Sequence, residues 1–567
     1  MKTLNYSCGC SFDVLNENET MTRIAFDPQA ILESEHTCQK TWDYISSGRT
    51  KGVFQLESPL GRSLSKKLAP QNIEHLSALM AIMRPGTMES MIGNKSVTQH
   101  YIDRKHGREQ VEYYHPSLEP ALRGTYGLLV YQEQAMQIVK DIAGFNLMEA
   151  DTLRKAIGKK KPEEMAKVKT MFLIKSKELG IVTEEEAQEI FGWIEKSQRY
   201  SFNKSHSVSY AFNGYLSAYC KAHFQRPFFT SYLYNSKEKA KQSSEVNELV
   251  NDARTCNVVI CVPDFRRIIT ASTIENLNPA MHFMLREKVI YAGFSDILGI
   301  GEAAIDKLLK LIPGVETLLG KPYTDWTWLE FLLFCSTKMT MPVVTAMVEA
   351  GCFDYTGKTR TELLYNYNAL KKLTDKETEY IKKMYVAFAN DITETTSLSI
   401  LLKQMVQEGT GRGKGISNKN RLTLVGDIVT TLENPPISLA DSPDWIAGIE
   451  QSLLGISLTC TKVDGRDTSA ANCTCREFRE GATFNGYSII AAQIVNINEI
   501  KTKNGKDPGQ KMAFITISDT TGSLDNVVAF PETWKECKGL LVSGNIVLVG
   551  GEKGKDNSLI VKKVWQI

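Results

Sequence analysis

The chain has 567 residues, 42% of them hydrophobic and 23% charged, a composition typical of a globular protein with several domains that excludes wholesale disorder. With 67 Lys and Arg against 65 Asp and Glu, the net charge is +2, so any site for a polyanion must be local. No apolar run approaches the roughly 20 residues that span a bilayer, and the first residues lack an apolar signal segment. Because 12 cysteines are also too few for a disulfide scaffold, we expect a cytoplasmic protein with reduced cysteines and no membrane contact, in the host cell cytoplasm if the source is viral.

The region from Cys38 to about Tyr234 is predicted to be mostly helical from its apolar spacing. Turn signals interrupt it at Arg84-Pro85-Gly86, at His115-Pro116 and at Gly158–Pro162. A charged connector, 236–253, follows and leads into another helix.

Basic side chains are dense at one place, RKAIGKKK at 154–161, which holds five basic residues and no acid. Apolar residues at helical spacing flank the run: Ala150, Leu153, Ile157, Met165, Val168 and Phe172. The run is therefore predicted to lie on amphipathic helices. Its charges alone leave open a solvated helix face, a general patch for the DNA backbone, or a specific anion site.

Two glycine-rich segments lie in the second half of the chain. Gly299-Ile300-Gly301 resembles the hairpin of a helix-hairpin-helix motif, whose backbone N–H groups can meet a DNA phosphate, although a plain loop before a helix has the same pattern. GTGRGKGISNKNR, at 409–421, predicts a flexible linker.

The last 80 or so residues predict a small β-barrel. Strands are indicated at 488–500, 512–518 and 524–530, a helix at 531–542, and two more strands after it. This order is typical of the OB-fold, which often binds single-stranded nucleic acid. Lys501, Lys503 and Lys506 lie in the loop after the first strand, where they would follow a phosphate backbone unless the barrel is only a spacer.

Cysteine pairs stand at Cys8/Cys10 and at Cys473/Cys475. Cys-x-Cys is not the usual zinc-ligand spacing, and no His pair is near, so reduced turn cysteines are favoured over a zinc site shared by the two segments. We therefore expect no metal ligand on this chain.

Six motifs occur in one order: GVFQLES (52–58), MRPGTMES (83–90), HPSLEPAL (115–122), TYGLLVYQEQAMQI (125–138), ADTLRKAIGKKKPEEMAK (150–167) and FNKSHSVSYA (202–211). Together they resemble the fingers region of the bacterial and phage DNA polymerase III alpha subunit, a C-family replicative polymerase. The resemblance continues through GIGEAA, VEAGCFD, LLGISL and the barrel, and covers residues 38–567.

The resemblance implies a multidomain protein that is mainly α with α+β parts. Its domains would be a short N-terminal segment 1–37, polymerase fingers 38–240, a helix-hairpin-helix and clamp-binding type domain 241–355, a connector 356–478 with the flexible linker, and an OB-fold 479–567. In the family, a PHP domain, a palm and a thumb precede the fingers, and the palm carboxylates hold two Mg²⁺. The first 37 residues here have no Asp-x-Asp, and Asp13 and Asp27 lack the palm context. We therefore expect no catalytic carboxylate on this chain and expect Mg²⁺ to be bound by a partner palm.

The resemblance also implies roles for individual residues. Arg154 is the strongest candidate for a triphosphate contact. Lys155, which stands where the family has a second Arg, and Lys159 are further candidates for binding the nucleotide. Asn203, Lys204, Ser205 and His206 would face the nucleotide, although His206 also fits a capping or packing role, and Arg84 would shape the nucleotide or template pocket. The residues expected to bind DNA are Lys160, Lys161, Gly299, Gly301, Lys501, Lys503 and Lys506.

The function expected from this resemblance is that of one subunit of a split DNA-directed DNA polymerase, a nucleotidyltransferase inactive without its palm. The expected partners are primer-template DNA, single-stranded DNA and a polymerase subunit that carries the palm and PHP domain. The segment NRLTLVG (420–426) occupies the place of the family's clamp-binding peptide but lacks its Gln and aromatic residue, which leaves a sliding clamp open as a partner. The alternative is a non-catalytic DNA-binding protein that tethers a replisome.

Overall fold

The computed structural model describes residues 2–5, 8–17, 22–33, 38–159, 162–197, 200–236, 242–268, 282–286, 288–387, 397–481, 486–502, 508–554 and 558–567. The chain divides into two compact units, Met1–Phe228 and Phe229–Ile567. The predicted mainly helical, multidomain fold with a C-terminal barrel is confirmed. Within the described ranges, no helix has both the length and the apolarity needed to cross a membrane.

The first unit begins with a small antiparallel sheet of β1 (Lys2–Asn5), β2 (Ser11–Glu17) and β3 (Thr22–Ile24), and holds a two-stranded ribbon of β4 (Met91–Ile92) and β5 (Lys95–Ser96). Its helices are α1 (Pro28–Glu33), α2 (Gln39–Ser46), α3 (Pro59–Leu68), α4 (Ile73–Ile82), α5 (Pro85–Glu89), α6 (Val97–Lys105), α7 (Glu119–Leu122), α8 (Gln132–Ala143), α9 (Leu147–Lys159), α10 (Pro162–Leu179), α11 (Glu184–Ser197) and α12 (Lys204–His223). The helix α13 (Gln225–Asn235) crosses the boundary between the units.

Two hydrophobic cores organise the first unit. The long helix α12 packs against α4 and α2, with Trp42, Leu79 and Tyr215 buried between them. A second core joins α8, α9, α10 and α11. All six apolar residues that flank the basic run are buried in that second core, as their helical spacing predicts.

The second unit contains a small sheet of β6 (Val259–Cys261), β7 (Met284–Arg286) and β8 (Val289–Tyr291). Its helices are α14 (Gln242–Thr255), α15 (Glu302–Leu319), α16 (Trp328–Glu330), α17 (Met341–Glu349), α18 (Arg360–Lys371), α19 (Asp375–Ala387), α20 (Leu398–Glu408), α21 (Lys419–Glu433), α22 (Pro443–Leu454), α23 (Cys475–Glu480) and α24 (Pro531–Cys537). Most of these helices surround one large core that contains several aromatic rings.

The C-terminal barrel is closed, in the strand order β10-β11-β13-β12-β9. Its strands are β9 (Tyr487–Lys501), β10 (Lys511–Asp519), β11 (Gly522–Ala529), β12 (Ile546–Lys553) and β13 (Leu559–Gln566). The helix α24 lies between the third and fourth strands, so the five strands and the helix agree with the sequence prediction of an OB-like barrel.

The glycine-rich segment 409–421 differs from the flexible linker that its composition predicts. Ile416 is fully buried, and a Cβ on Gly415 would come within 2.6 Å of the side chains of Met405 and Tyr380. Residues 419–421 already belong to α21, which also contains the whole segment 420–426 and buries Val425. The segment is therefore a packed turn, because the glycines allow a close approach to α19 and α20. Residues 420–426, where the clamp-binding peptide is expected, are therefore helical.

Candidate nucleotide-binding site

The N-terminal end of α12 is held in place by a carboxylate from α8. Asn203 is the N-cap residue, and its side-chain oxygen accepts a hydrogen bond from the backbone N–H of His206 at 2.8 Å. Glu133 accepts from Asn203 Nδ2 at 3.0 Å and from the backbone N–H of Lys204 at 2.8 Å. A carboxylate is favourable at a helix N-terminus, so Glu133 both orients the cap and ties α8 to α12.

The chain segments before the two helices are also paired. Phe202 donates its backbone N–H to Val130 O at 2.9 Å and accepts from the N–H of Gln132 at 2.9 Å. The side-chain oxygen of Gln134 accepts from the N–H groups of Val130 and Tyr131. The start of α12 therefore rests on a rigid support, which is what a binding site requires.

A row of flat side chains covers the surface beside this helix start. The guanidinium carbon of Arg84 lies 3.7 Å from the ring centroid of Phe202, and the rings of Phe202 and His206 are 5.5 Å apart. The rings of His206 and Tyr210 are 4.0 Å apart, and those of Tyr210 and Phe54 are 5.0 Å apart. We call these five residues the stacked row. Arg84, His206 and Phe54 are exposed, so the row offers planar faces on which a nucleobase can stack.

Cationic groups adjoin the stacked row. Lys204 is exposed, and its ammonium nitrogen lies 5.8 Å from the ring centroid of Tyr131. Ser205, the next residue, is exposed on the first turn of α12. The structure therefore brings together Arg84, Asn203, Lys204, Ser205 and His206, all of which the sequence assigned to the nucleotide.

Arg154 and Lys155 lie on α9, and both bind Asp151. Asp151 Oδ1 accepts from Arg154 Nε at 2.8 Å and also lies 2.8 Å from Arg154 Nη2, while Asp151 Oδ2 is 2.9 Å from Lys155 Nζ. Hydrogen bonds from Lys155 and Arg154 lower the pKa of Asp151, so its carboxylate stays ionised. Because the Arg154 side chain is 36% exposed, a phosphate can reach the guanidinium by displacing Asp151.

Helices α8 and α9 pack against each other and are joined by a short connection. Three residues join the two helices, and Gly144 has a φ of 61° at the turn. Both helices contribute to the core that also contains α10 and α11. Lys159 is the last residue of α9; its side chain, and all of Lys160 and Lys161, lie outside the described residues.

The residues expected to bind DNA in the second unit are only partly described. Gly299 has a φ of 90°, and Gly301 is the N-cap residue of α15. A single 3₁₀ turn, Phe294–Asp296, precedes this loop, and the helix-hairpin-helix motif stays a prediction. Lys501 is exposed at the end of β9, whereas Lys503 and Lys506 lie outside the described residues.

The cysteine pairs have different surroundings. Cys473 and Cys475 are buried in the barrel core of the second unit, and the backbone N–H of Cys475 donates to Asp519 Oδ2 at 2.8 Å. None of the 12 cysteines forms a disulfide in this structure. Cys8 and Cys10 lie in the first unit, where their neighbours are Cys38 and His223.

Sequence reasoning missed Glu133, Phe202, Tyr210 and Phe54, although each lies inside a motif that it had identified. Only their position inside those motifs could have identified these four residues, because neither a single Glu nor three aromatic residues stand out by composition.

The donor set of this site does not fit a pair of Mg²⁺ ions. Mg²⁺ needs several oxygen ligands in nearly octahedral geometry. Glu133, the carboxylate at the start of α12, already accepts hydrogen bonds from two donors, and Asp151 on α9 is likewise bound by Arg154 and Lys155. We therefore assign no Mg²⁺ to these residues.

Known proteins resemble both this region and the chain as a whole. Residues 12–180 match the model of the bacterial DNA polymerase III alpha subunit finger domain. The chain is 32% identical over 524 residues to the DNA polymerase III subunit alpha of Aquifex aeolicus, an alignment that covers 91% of this chain and 38% of the relative. The subunits of Pseudomonas aeruginosa (29% over 532 residues) and Staphylococcus aureus (28% over 534 residues) match 91% and 93% of this chain and 41% and 42% of their own lengths.

The chain thus spans about two fifths of the length of the curated relatives that it matches. The finger-domain match includes Arg84, Glu133 and the basic run on α9, and the alignments with whole subunits cover more than nine tenths of the chain. These matches show that residues 12–180 are similar to the finger domain of bacterial DNA polymerase III alpha subunits, and that the similarity to these subunits extends over more than nine tenths of the chain.

Proposed function

We propose that this chain supplies the fingers, a helical region and the barrel for DNA-templated DNA synthesis by a C-family polymerase, and that a partner supplies the palm. The observation that carries the proposal is the convergence of Arg84, Lys204 and His206 on one exposed surface beside the start of α12. Arg84 lies 120 positions before Lys204 in the sequence, yet these residues place cations next to stacking faces, the combination that a nucleoside triphosphate requires.

In nucleotidyl transfer, a primer 3′-hydroxyl attacks the α-phosphate in line, and negative charge on the phosphate oxygens must be offset. In our proposal, Mg²⁺ on the palm carboxylates of the partner supplies part of that charge, and this chain supplies the rest. The Arg154 fork leaves Asp151 for two phosphate oxygens, Lys155 and Lys159 add point charges, and Lys204 approaches from the start of α12.

The stacked row orients the rest of the nucleotide. His206 lies between Phe202 and Tyr210, so its ring has a restricted orientation and can donate to a phosphate from its edge. Arg84, stacked on Phe202, fixes one end of the row. The base or sugar then packs against these faces while the triphosphate extends toward α9.

The barrel is proposed to bind single-stranded template. Phe514 on β10 and Lys501 at the end of β9 are both exposed, and together they offer a stacking face and a phosphate contact. Salt should weaken this binding because phosphate contacts release counterions. Primer-template DNA, single-stranded DNA, the palm-bearing subunit and a sliding clamp remain the proposed partners.

A reconstitution experiment tests the proposal. The purified chain, a palm-bearing polypeptide from the same source, and the two together are assayed for primer extension with Mg²⁺ and deoxynucleotides. We expect extension only from the mixture. Robust extension by the repurified chain alone contradicts the split arrangement. Tight DNA binding without extension in any mixture favours the alternative, a protein that tethers the replisome.

A further inference from the structure

Three distant segments of the first unit meet at the C-terminal end of α12. Cys8 and Cys10 lie in the turn between β1 and β2, Cys38 is the N-cap residue of α2, and His223 is the last residue of α12. Gly9, between the first two cysteines, has a φ of 88°, a conformation that favours glycine and lets both thiols turn toward the same side.

The four side chains present their ligand atoms to one point. The three sulfur atoms and an imidazole nitrogen all lie within 4.8 Å of one another. His223 Nε2 is 3.3 Å from Cys38 Sγ and 3.9 Å from Cys8 Sγ. In a tetrahedral zinc site, Zn–S bonds of about 2.3 Å and Zn–N bonds of about 2.0–2.1 Å put sulfur and nitrogen about 3.6 Å apart. The observed separations lie on either side of that value, so an ion fits with small side-chain movements.

The chemistry of the donors selects the kind of metal. Three thiolates and one neutral imidazole form the Cys₃His set typical of structural Zn²⁺, whereas Mg²⁺ and Ca²⁺ take oxygen ligands. Four protein ligands close the coordination shell, which indicates a structural rather than a catalytic ion.

The surroundings hold the ligands in place. Thr41 Oγ1 donates to Cys38 Sγ at 3.3 Å, an outer contact of the kind that orients metal ligands. The rings of Tyr219 and Phe12 lie 4.4 Å and 6.1 Å from the His223 ring, and Phe224 packs on Phe12 at 4.8 Å. These aromatic rings shield one side of the cluster from water.

We infer that Cys8, Cys10, Cys38 and His223 bind one structural Zn²⁺. The ion fastens the N-terminal hairpin and the start of α2 to the C-terminal end of α12. It thereby stabilises the helix whose other end carries the candidate nucleotide-binding site. This proposal differs from the sequence prediction of reduced turn cysteines without a metal, because 215 positions separate Cys8 from His223 and no local spacing indicates their proximity.

Metal analysis of the full chain tests this inference. The chain is purified from zinc-supplemented cells and its zinc content is measured, alongside a Cys38→Ser variant and a Cys220→Ser control. Cys220 is half-buried three residues before His223 on the same helix and lies outside the cluster. We expect about one zinc per chain in the wild type and the control, and near zero in Cys38→Ser.

A second measurement on the wild-type chain guards against a variant that fails to fold. Thiol alkylation followed by mass spectrometry should show Cys8, Cys10 and Cys38 protected in the zinc-loaded chain and reactive after chelation, with Cys220 unchanged by the chelator. Cobalt substitution should give the absorption bands of tetrahedral thiolate coordination. The inference is overturned if the wild-type chain holds no more zinc than Cys38→Ser, if chelation does not change alkylation, or if two of the cluster cysteines form a disulfide.

Discussion

The two ends of α12 carry similar side chains in opposite surroundings. At the N-terminal end, Lys204 and His206 are exposed on the helix surface. At the C-terminal end, Lys221 is fully buried, and His223 is 7% exposed among thiols and aromatic rings. The lysine and histidine at one end therefore differ in environment from those at the other: exposed groups can exchange binding partners, whereas buried groups must keep permanent ones.

Loss of the buried lysine should have the largest effect on stability. Lys221 Nζ donates to the carbonyl oxygens of Lys51 at 2.6 Å and Arg49 at 3.1 Å. Lys221→Ala leaves those carbonyls without this donor and should lower the free energy of unfolding by about 3–5 kcal/mol. Lys204→Ala, the same change at the exposed end, should shift it by less than about 0.5 kcal/mol. Urea denaturation of both variants measures the difference, and equal losses contradict the contrast between the two ends.

Loss of Arg154 should have the largest effect on nucleotide use. Arg154→Ala removes a charge-assisted fork, worth roughly 1.5–3 kcal/mol, and should lower nucleotide efficiency about 10- to 150-fold in the reconstituted enzyme. Lys155→Ala should cost less because an ammonium makes no fork contact. Single-nucleotide incorporation at several nucleotide concentrations gives the efficiency of each variant.

The control for this change is Arg123→Ala. Arg123 pairs with Glu119 on the surface much as Arg154 pairs with Asp151, and it is 74% exposed. The Arg123→Ala substitution should leave nucleotide efficiency nearly unchanged. A DNA-binding titration of each variant completes the test. If Arg154→Ala weakens DNA binding as much as it lowers nucleotide efficiency, the basic run at 154–161 binds the DNA backbone rather than the triphosphate. Lys169, whose ammonium lies 2.8 Å from Glu195 Oε2, serves as a second loss-of-charge control.

The cap of α12 should contribute a smaller amount. Asn203→Ala removes the hydrogen bond to the N–H of His206 and the contact with Glu133, and should destabilise the first unit by about 1 kcal/mol. Asn213→Ala, an exposed position in the middle of the same helix, should instead stabilise by a few tenths of a kcal/mol through helix propensity. Thermal unfolding distinguishes the two, and a stabilising Asn203→Ala would exclude the capping role.

The stacked arginine should have the smallest effect. Arg84→Met removes a cation–π contact worth about 0.5–1 kcal/mol and should weaken nucleotide binding by roughly two- to five-fold. Arg49→Met is the matched control, because its guanidinium carbon lies 5.6 Å from the ring of Tyr44, away from the row. Nucleotide titration followed by intrinsic fluorescence measures both, and an equal effect of the two changes rules out a specific role for the row.

The sequence by itself determined the elements whose signals are local. Strand alternation and turn residues located the five barrel strands and α24, and helical spacing identified the buried faces of α9 and α10. The last motif also identified the run from Asn203 to His206 that begins α12, because a motif is a contiguous string that needs no knowledge of packing.

Only the tertiary structure decided which of these elements meet. Glu133 reaches α12 across 70 positions, and His223 reaches Cys8 across 215, separations at which no periodicity carries information. At 409–421, the glycine-rich composition predicts a flexible linker, whereas the structure has a packed turn in which Ile416 is buried. Glycine permits a tight turn but does not show whether that turn is exposed to solvent or packed into a core. Local pattern follows from backbone geometry and side-chain polarity, whereas long-range contact follows from how whole helices pack. For that reason the cluster of three cysteines and His223, like the stacked row, could be seen only in the folded chain.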